Sequence, residues 1–263
     1  MEISERIRCR FGIVAGALAA LLCLGFPVYA DQMEEYWQKA EELYESHHLA
    51  PNRFEKALEW YEKAVALRPH DYELLWDLSK RYQIYGQTLG DEQKQEKIAA
   101  WRRGLELGRR AVKVNPNGKE GHFYYMANMG AIAQRKGTLT SLWKFRKIKK
   151  AMDRTLEIDP NWPPILLARA QYLMEMPGIF GGDKEEAMRL CQRVIELDPD
   201  HLPTYVCVAQ LLADEGRYDE AIACLDKVLL CEEPRQYSNY LKVDRPRAEA
   251  VLKEIMRKTA GAP

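Results

Sequence analysis

The stretch "YVCVAQLLADEGRYDEAIACL", Tyr205–Leu225, decides the fold. Large and small apolar residues recur at steps of three and four in its first half, which is the spacing of an amphipathic helix. Gly216 interrupts the pattern, and the small Ala221 and the large Leu225 resume it one turn apart. The stretch therefore predicts two short helices joined by a tight turn, with a small residue where the helices cross.

The same pattern recurs along most of the chain. Each recurrence is an amphipathic segment that ends at a proline, which lacks an amide hydrogen and disfavours helix in the residue before it. These prolines are Pro69, Pro116, Pro160, Pro199 and Pro234. Their intervals shorten toward about 34 residues, the period of a tetratricopeptide (TPR) repeat. The sequence therefore predicts an all-α, TPR-like solenoid of about five helix-turn-helix units with a C-terminal capping helix.

Residues 1–30 differ in composition from the rest of the chain. Arginines up to Arg10 precede the uncharged run Phe11–Ala30, and Val28 and Ala30 are small residues at the positions that precede a cleavage site. This is the pattern of a secretory signal peptide. The run is also about long enough to cross ~30 Å of hydrocarbon, so an uncleaved anchor is the alternative.

These features predict three segments. Residues 1–30 form a signal peptide or N-terminal membrane anchor, residues 31–243 form the repeat array, and residues 244–263 form the capping helix and tail. Either fate of the leader predicts an exported protein. It is soluble in the periplasm after cleavage, or held at the inner membrane by residues 11–30.

The charge balance excludes strong long-range attraction to nucleic acid. Lys plus Arg and Asp plus Glu number 39 each, so the formal net charge is zero. A local basic stretch, "WKFRKIKK" at Trp143–Lys150, is compatible with a nucleic-acid patch. It fits better as the solvated face of an amphipathic helix, and we expect no nucleic-acid partner.

Candidate catalytic and metal-binding groups are sparse. The histidines include no pair at helical metal-ligand spacing, and the cysteines match no zinc or redox motif. We therefore expect no enzyme activity, no metal and no cofactor. The cysteines outside the leader are Cys191, Cys207, Cys224 and Cys231. We interpret them as thiols packed between helices, with a Cys191–Cys207 or Cys207–Cys224 disulfide as the alternative in an exported protein.

The stretch "MPGIFGGDKEEA", Met176–Ala187, interrupts the helical pattern. Glycines before a helix N-terminus can cradle a phosphate, but a phosphate loop needs a Lys-Ser or Lys-Thr pair after a strand, and neither is present. The stretch is therefore predicted to be a structural turn, in which Asp183 caps the next helix and Glu186 reaches back to it as in a capping box. The turn residues are Pro177, Gly178, Gly181, Gly182 and Asp183.

Three segments carry a family resemblance: "HFYYMANMG" (His122–Gly130), "SLWKFRKIKKAMDRTLEIDP" (Ser141–Pro160) and "MPGIFGGDKEEAMRLCQRVIELDP" (Met176–Pro199). They resemble the periplasmic T component associated with TRAP transporters, and the regulators of microtubule dynamics share a similar repeat core. The resemblance implies a helical solenoid, often a trimer, with a pore or cleft. It implies work with a substrate-binding protein that captures organic acids or small hydrophobic ligands. The alternative function is an envelope adaptor that binds protein partners in assembly or secretion.

The first helix of each unit is expected to line the concave face of the array. Positions between the packing residues, at steps of about four and three, point away from the neighbouring helices. Aromatic rings beside amides and charges suit a small organic ligand or a peptide. The predicted positions are Trp76, Lys80, Gln83, Tyr124, Asn128, Tyr172, Glu175, Gln210 and Asp214.

Overall fold

The computed structural model describes residues 31–136 and 142–260, and helices and turns form this part of the chain. The predicted leader, residues 1–30, and the last three residues lie outside the described residues. The helices are α1 (31–45), α2 (Arg53–Leu67), α3 (Tyr72–Thr88), α4 (Lys94–Val114), α5 (Lys119–Lys136), α6 (Leu142–Ile158), α7 (Pro163–Glu175), α8 (Lys184–Leu197), α9 (Leu202–Asp214), α10 (Tyr218–Leu229), α11 (Tyr237–Asn239) and α12 (Arg245–Ala260).

Consecutive helices pack as pairs and each pair packs on the next, which confirms the predicted all-α, TPR-like fold. The pairs include α3 with α4, α7 with α8 and α9 with α10. Small side chains lie at the crossings and are fully buried, because a larger group there would hold the helix axes apart. They are Ala40, Ala57, Ala64, Ala111, Ala170, Ala187, Ala209 and Ala221.

The helix ends follow from local sequence. The Asp71 carboxylate caps α3 by accepting the amide hydrogen of Leu74 at 3.2 Å. Gly216, with a φ of 78°, forms the turn between α9 and α10. A left-handed residue of this kind ends a helix without the steric cost that a Cβ would bring. The stretch that predicts the fold is therefore a helical pair joined at this glycine.

The connection within the second unit is shorter than the sequence suggests. In the unit that ends at Pro116, the sequence predicts a longer connection between the two helices, "GQTLGDEQKQEK" (86–97), but α3 continues to Thr88 and α4 begins at Lys94. Gly86 is buried inside α3, where a Cβ would lie 2.2 Å from the Trp101 ring nitrogen. That nitrogen donates to the Gln83 carbonyl oxygen at 3.2 Å. This glycine therefore makes room for a buried tryptophan and does not break the helix.

The third unit, which ends at Pro160 and has the least regular repeat pattern, is completed by α6. Ile148 and Met152 are buried, whereas Arg146 and Lys150 are exposed. The basic stretch is therefore one face of an amphipathic helix over its described side chains, as favoured from the sequence. The side chain of Trp143, which belongs to the same stretch, lies outside the described residues.

The chain ends by returning to its beginning. After α11, a single π-helical turn, Tyr240–Asp244, contacts α3. The following helix, α12, packs on α9 and α10, where Ala248 and Ile255 are buried. The last unit is thus covered on its open side, and the two ends of the array meet. None of the helices in the described ranges is long and apolar enough to cross a membrane.

One prediction concerns the crossing of α4 and α5. Gly108 is buried there, and a Cβ would lie 2.8 Å from the Tyr125 backbone nitrogen and 2.9 Å from its Cα. Because backbone atoms cannot rotate away, Gly108→Ala is expected to lower the free energy of unfolding by ~1–3 kcal/mol. The control, Gly130→Ala in α5, has no atom within 4 Å of the added Cβ. We expect it to be neutral or to stabilise by up to ~1 kcal/mol. Urea unfolding followed by circular dichroism measures both, and equal stabilities would contradict the packing described.

Candidate functional site

Helix α3 carries a buried arginine with two carboxylate partners. Arg81 donates to Asp77 at 3.1 and 3.2 Å and to Glu41, on α1, at 2.8 Å. Its guanidinium also lies 3.9 Å from the centroid of the Tyr44 ring. These partners occupy its Nε, its Nη2 and one face of the guanidinium, so Arg81 joins α3 to α1.

An aromatic pair lies next to this cluster. The Trp76 and Tyr124 rings stack at a centroid distance of 5.9 Å and an angle of 7° between their planes. Both side chains are half-buried, and burial raises the pKa of the Tyr124 hydroxyl. The pair joins α3 to α5, and the Trp76 ring nitrogen donates to the Glu73 carboxylate at 2.7 Å. Aromatic rings of this kind accommodate planar or apolar parts of a ligand.

Lys80 lies one helical turn from Trp76, on the same face of α3. Its ammonium has a distant ionic partner, Asp77, at 3.9 Å. The side chain is 23% exposed, and burial lowers the pKa of this amine. A partly desolvated cation with such a distant partner is stabilised by any further anion that reaches it. Trp76, Lys80 and Tyr124 together form what we call the inner-wall site.

Other predicted site residues are spread over the array. Gln83 is half-buried, and its carbonyl oxygen supports Trp101. Tyr172 is half-buried between the apolar cores of neighbouring units. Three further predicted residues are exposed: Glu175 accepts from Gln134 at 2.8 and 3.0 Å, Asp214 pairs with Lys184 at 2.5 Å, and Gln210 lies on the surface of α9. Among the predicted residues, the structure therefore groups Trp76, Lys80 and Tyr124 only.

Asn128 is a correction, because it lies in the interior and not on a concave surface. Its side chain is fully buried where α3, α4 and α5 meet. The amide donates to the Ser79 carbonyl oxygen at 3.2 Å, and the Ser79 hydroxyl donates to the Gly104 carbonyl oxygen at 2.7 Å. A Cβ on Gly104 would lie 2.4 Å from the Asn128 amide oxygen. Asn128 thus fills the space that a glycine leaves at a helix crossing.

The Pro-Gly-rich turn folds around two glycines with different roles. Gly181 has a φ of 91°, and a Cβ on it would meet no atom within 4 Å. Gly182 has no such φ, but a Cβ on it would lie 1.7 Å from the Met176 carbonyl oxygen. Gly181 is therefore required because of its left-handed backbone conformation, and Gly182 because there is no space for a side chain.

The end of the turn starts α8. The Asp183 carboxylate accepts the Glu186 amide hydrogen at 2.9 Å. The reciprocal half of the predicted capping box is replaced by other contacts. The Asp183 amide donates to the Leu173 carbonyl oxygen at 3.1 Å, and the Glu186 carboxylate accepts from Arg189 at 2.7 Å. The return contact to α7 thus holds the turn against the preceding helix.

All four cysteines outside the leader are free thiols in the structure. Cys191 and Cys207 are fully buried between α8 and α9, and their sulfurs lie 3.4 Å apart. The hydrogen bond from Cys191 and burial raise the pKa of the Cys207 thiol, which disfavours the nucleophilic thiolate. Across the described ranges, no group of three or more His, Cys, Asp or Glu residues is arranged to hold a metal ion.

Two family models match the chain. The model described as regulator of microtubule dynamics protein 1-3 matches residues 36–176, more than half of the 263 residues. The chain belongs to this family. In this member of the regulator family, a tetratricopeptide repeat model also matches residues 182–241. No curated protein matches the chain.

Solved structures are similar to this regulator-family chain in fold. TTC0263, a thermophilic TPR protein of Thermus thermophilus, has a TM-score of 0.61 at 20% identity, over 84% of this chain and 99% of its own. PilF of Pseudomonas aeruginosa has a TM-score of 0.50 at 16% identity, over 89% of this chain and 95% of its own. The regulator-family chain therefore has a TPR-repeat fold.

The residues that sequence reasoning missed are those of the arginine cluster. Asp77 and Arg81 were not among the predicted positions, although they lie on either side of Lys80 in α3. From the sequence alone, a charged pair at positions i and i+4 is interpreted as part of a solvent-exposed helix face, because the sequence does not show that the pair is buried. The sequence signal that could have indicated the arginine cluster is the pair Tyr44 and Tyr61. A guanidinium packs favourably against the face of a buried tyrosine ring, as Arg81 does on both.

Proposed function

We propose that the protein is an exported accessory component of a TRAP-type solute uptake system. It contacts a substrate-binding protein and holds a small organic acid, or the apolar part of such a ligand, against the inner-wall site. The N-terminal leader pattern supports export. The resemblance of Met176–Pro199 to the TRAP-associated T component supports the uptake role.

The observation that carries the proposal is that the Lys80 ammonium is partly buried and its ionic partner is distant. Its half-buried ammonium has a carboxylate at 3.9 Å, beyond hydrogen-bond distance, while the neighbouring Arg81 is held by Asp77 and Glu41. A ligand carboxylate would supply a charge-assisted hydrogen bond to Lys80. The stacked rings one turn away would accept the carbon skeleton. An organic acid fits this combination of one cation and one apolar surface.

Calorimetric titration with benzoate and with uncharged benzamide tests this role. Wild-type protein is expected to bind benzoate at least tenfold more tightly, because a hydrogen bond to a charged group contributes ~1.5–3 kcal/mol. Lys80→Gln is expected to remove the preference for benzoate. Trp76→Leu is expected to weaken both ligands, since it removes half of the stacked pair.

Lys56→Gln is the matched control, because Lys56 is an exposed lysine on α2. It is expected to bind both ligands as wild type does. If wild-type protein binds neither ligand, or if the Lys80 and Lys56 variants lose benzoate equally, the inner-wall site does not hold carboxylates.

An envelope adaptor that binds protein partners in assembly or secretion is the second candidate. The exposed polar residues of the last two units, Glu175, Gln210 and Asp214, favour it, because they offer groups to a partner surface. Crosslinking in intact envelopes separates the two. A solute-binding protein captured as the main partner supports the uptake role, and assembly or secretion proteins support the adaptor.

A further inference from the structure

The two ends of the array are joined by a small polar contact between residues distant in sequence. The Ser238 hydroxyl donates to the Glu45 carbonyl oxygen, and the His48 Nδ1 lies 2.6 Å from the same hydroxyl. Because that hydroxyl already donates its hydrogen, His48 is the donor in the second bond. The Asn239 amide donates to the Tyr44 hydroxyl at 2.5 Å. We call this contact, which joins Ser238–Asn239 to the end of α1 and the turn after it (residues 44–48), the seam.

His47 lies directly beside the seam and is 4% exposed. Its ring packs between Tyr44 and Phe54, at centroid distances of 5.3 and 4.6 Å. Its Nδ1 is 2.6 Å from the Tyr44 carbonyl oxygen, so that nitrogen carries the hydrogen of the neutral ring. The other nitrogen, Nε2, is buried and has no hydrogen-bond partner among the described residues.

We propose that the seam is an acid-sensitive closure, in which protonation of His47 separates Ser238–Asn239 from α1 and opens the array. A proton on Nε2 would be a buried donor without an acceptor, on a ring that then carries a positive charge. The charge of Lys242, in the turn that directly follows Asn239, acts on His47, so separating this segment from α1 would bring water to the ring and remove the cost. The closure is therefore stable when His47 is neutral.

The charges around His47 act in the same direction. Burial lowers the pKa of His47 from its ordinary value of 6.5, the bond to the Tyr44 carbonyl opposes this, and His48, Lys242 of the π-helical turn and Arg81 of α3 lower it further. The nearby carboxylates, Asp77 and Glu41, already pair with Arg81.

The direction of the pH effect follows from that lowered pKa. The closed form binds the proton more weakly than the open form. The closure is thus fully present above about pH 6.5 and weakens as the pH falls through and below that value.

Hydrogen–deuterium exchange of the full chain, corrected for the intrinsic effect of pH, tests the proposal. Between pH 7.5 and pH 5.0, amides of residues 44–49 and 236–244 are expected to exchange at least tenfold faster, while those of α8 change less than twofold. His47→Phe retains an aromatic ring, and His47→Asn retains a donor for the Tyr44 carbonyl. Both are expected to abolish the pH response, because neither takes up a proton in this range.

Two further variants keep the test decisive. Ser238→Val is expected to expose both segments at pH 7.5 as well, because it removes the bonds to His48 and Glu45. His201→Gln changes another partly buried histidine whose pKa burial lowers, but at the start of α9, and is expected to keep the wild-type response. Equal protection at both pH values in wild type, a retained response in both His47 variants, or unchanged protection in Ser238→Val would each overturn the proposal.

Discussion

Replacing Arg81 with methionine is expected to lower the free energy of unfolding by about 3–5 kcal/mol. The substitution leaves the Asp77 carboxylate, 13% exposed, and the half-buried Glu41 without the guanidinium that both contact. Removing one partner of a buried ion pair costs more than the pair itself contributes, since the remaining charge stays desolvated. It also removes the cation from the Tyr44 ring. Chemical unfolding followed by circular dichroism measures the loss.

Arg217→Met is the matched control for Arg81. Arg217 makes ion pairs with Glu215 and Glu220 at 3.0 and 2.6 Å, but its side chain is 47% exposed. Exposed pairs contribute ~0–1 kcal/mol, so this variant is expected to unfold almost as wild type does. If both variants lose the same stability, burial is not what makes the arginine cluster important.

Gly182→Ala is expected to lower the free energy of unfolding by about 3 kcal/mol, near the upper end of overpacking effects. The added Cβ would lie 1.7 Å from the Met176 carbonyl oxygen and 2.7 Å from its carbonyl carbon. Both atoms belong to the backbone, so the turn must move. That movement would break the bond from the Asp183 amide to the Leu173 carbonyl oxygen, which holds the turn to α7.

Two neighbouring glycines make the test specific. Gly178→Ala adds a Cβ with no atom within 4 Å and is expected to change stability by less than ~0.5 kcal/mol. Gly181→Ala meets no atom either, but its φ of 91° is unfavourable for alanine, and a loss of ~1–2 kcal/mol is expected. In thermal melts, Gly182→Ala is expected to lower the melting temperature most, Gly181→Ala less and Gly178→Ala least. Any other order contradicts the roles assigned to these glycines.

The sequence predicted the helical pairs well because their signals are local. The apolar spacing of Tyr205–Leu225, the prolines after the units and the Asp183 cap all act within a few residues. The same local reasoning failed at Gly86, where "GQTLGDEQKQEK" reads as a linker. There, α3 continues through Gly86, and Trp101 of the next helix packs against this glycine.

The site was less predictable because burial in a curved array is not a local property. The helical steps selected Trp76, Lys80 and Tyr124, which the structure brings together on facing helices. They also selected Asn128, which is buried and fills a gap beside Gly104. Helical spacing alone cannot distinguish such a buried position from a surface position. The seam joins residues about 190 positions apart, and no pattern in the sequence links His48 to Ser238.

Native mass spectrometry of full-length protein, purified from the envelope of its own host, tests the central claim most directly. We predict a retained small organic anion in wild type and in Lys56→Gln, and its loss in Lys80→Gln. Wild-type protein that carries no small molecule, or a ligand that Lys80→Gln retains fully, would contradict the assignment of Trp76, Lys80 and Tyr124 as a carboxylate-binding site.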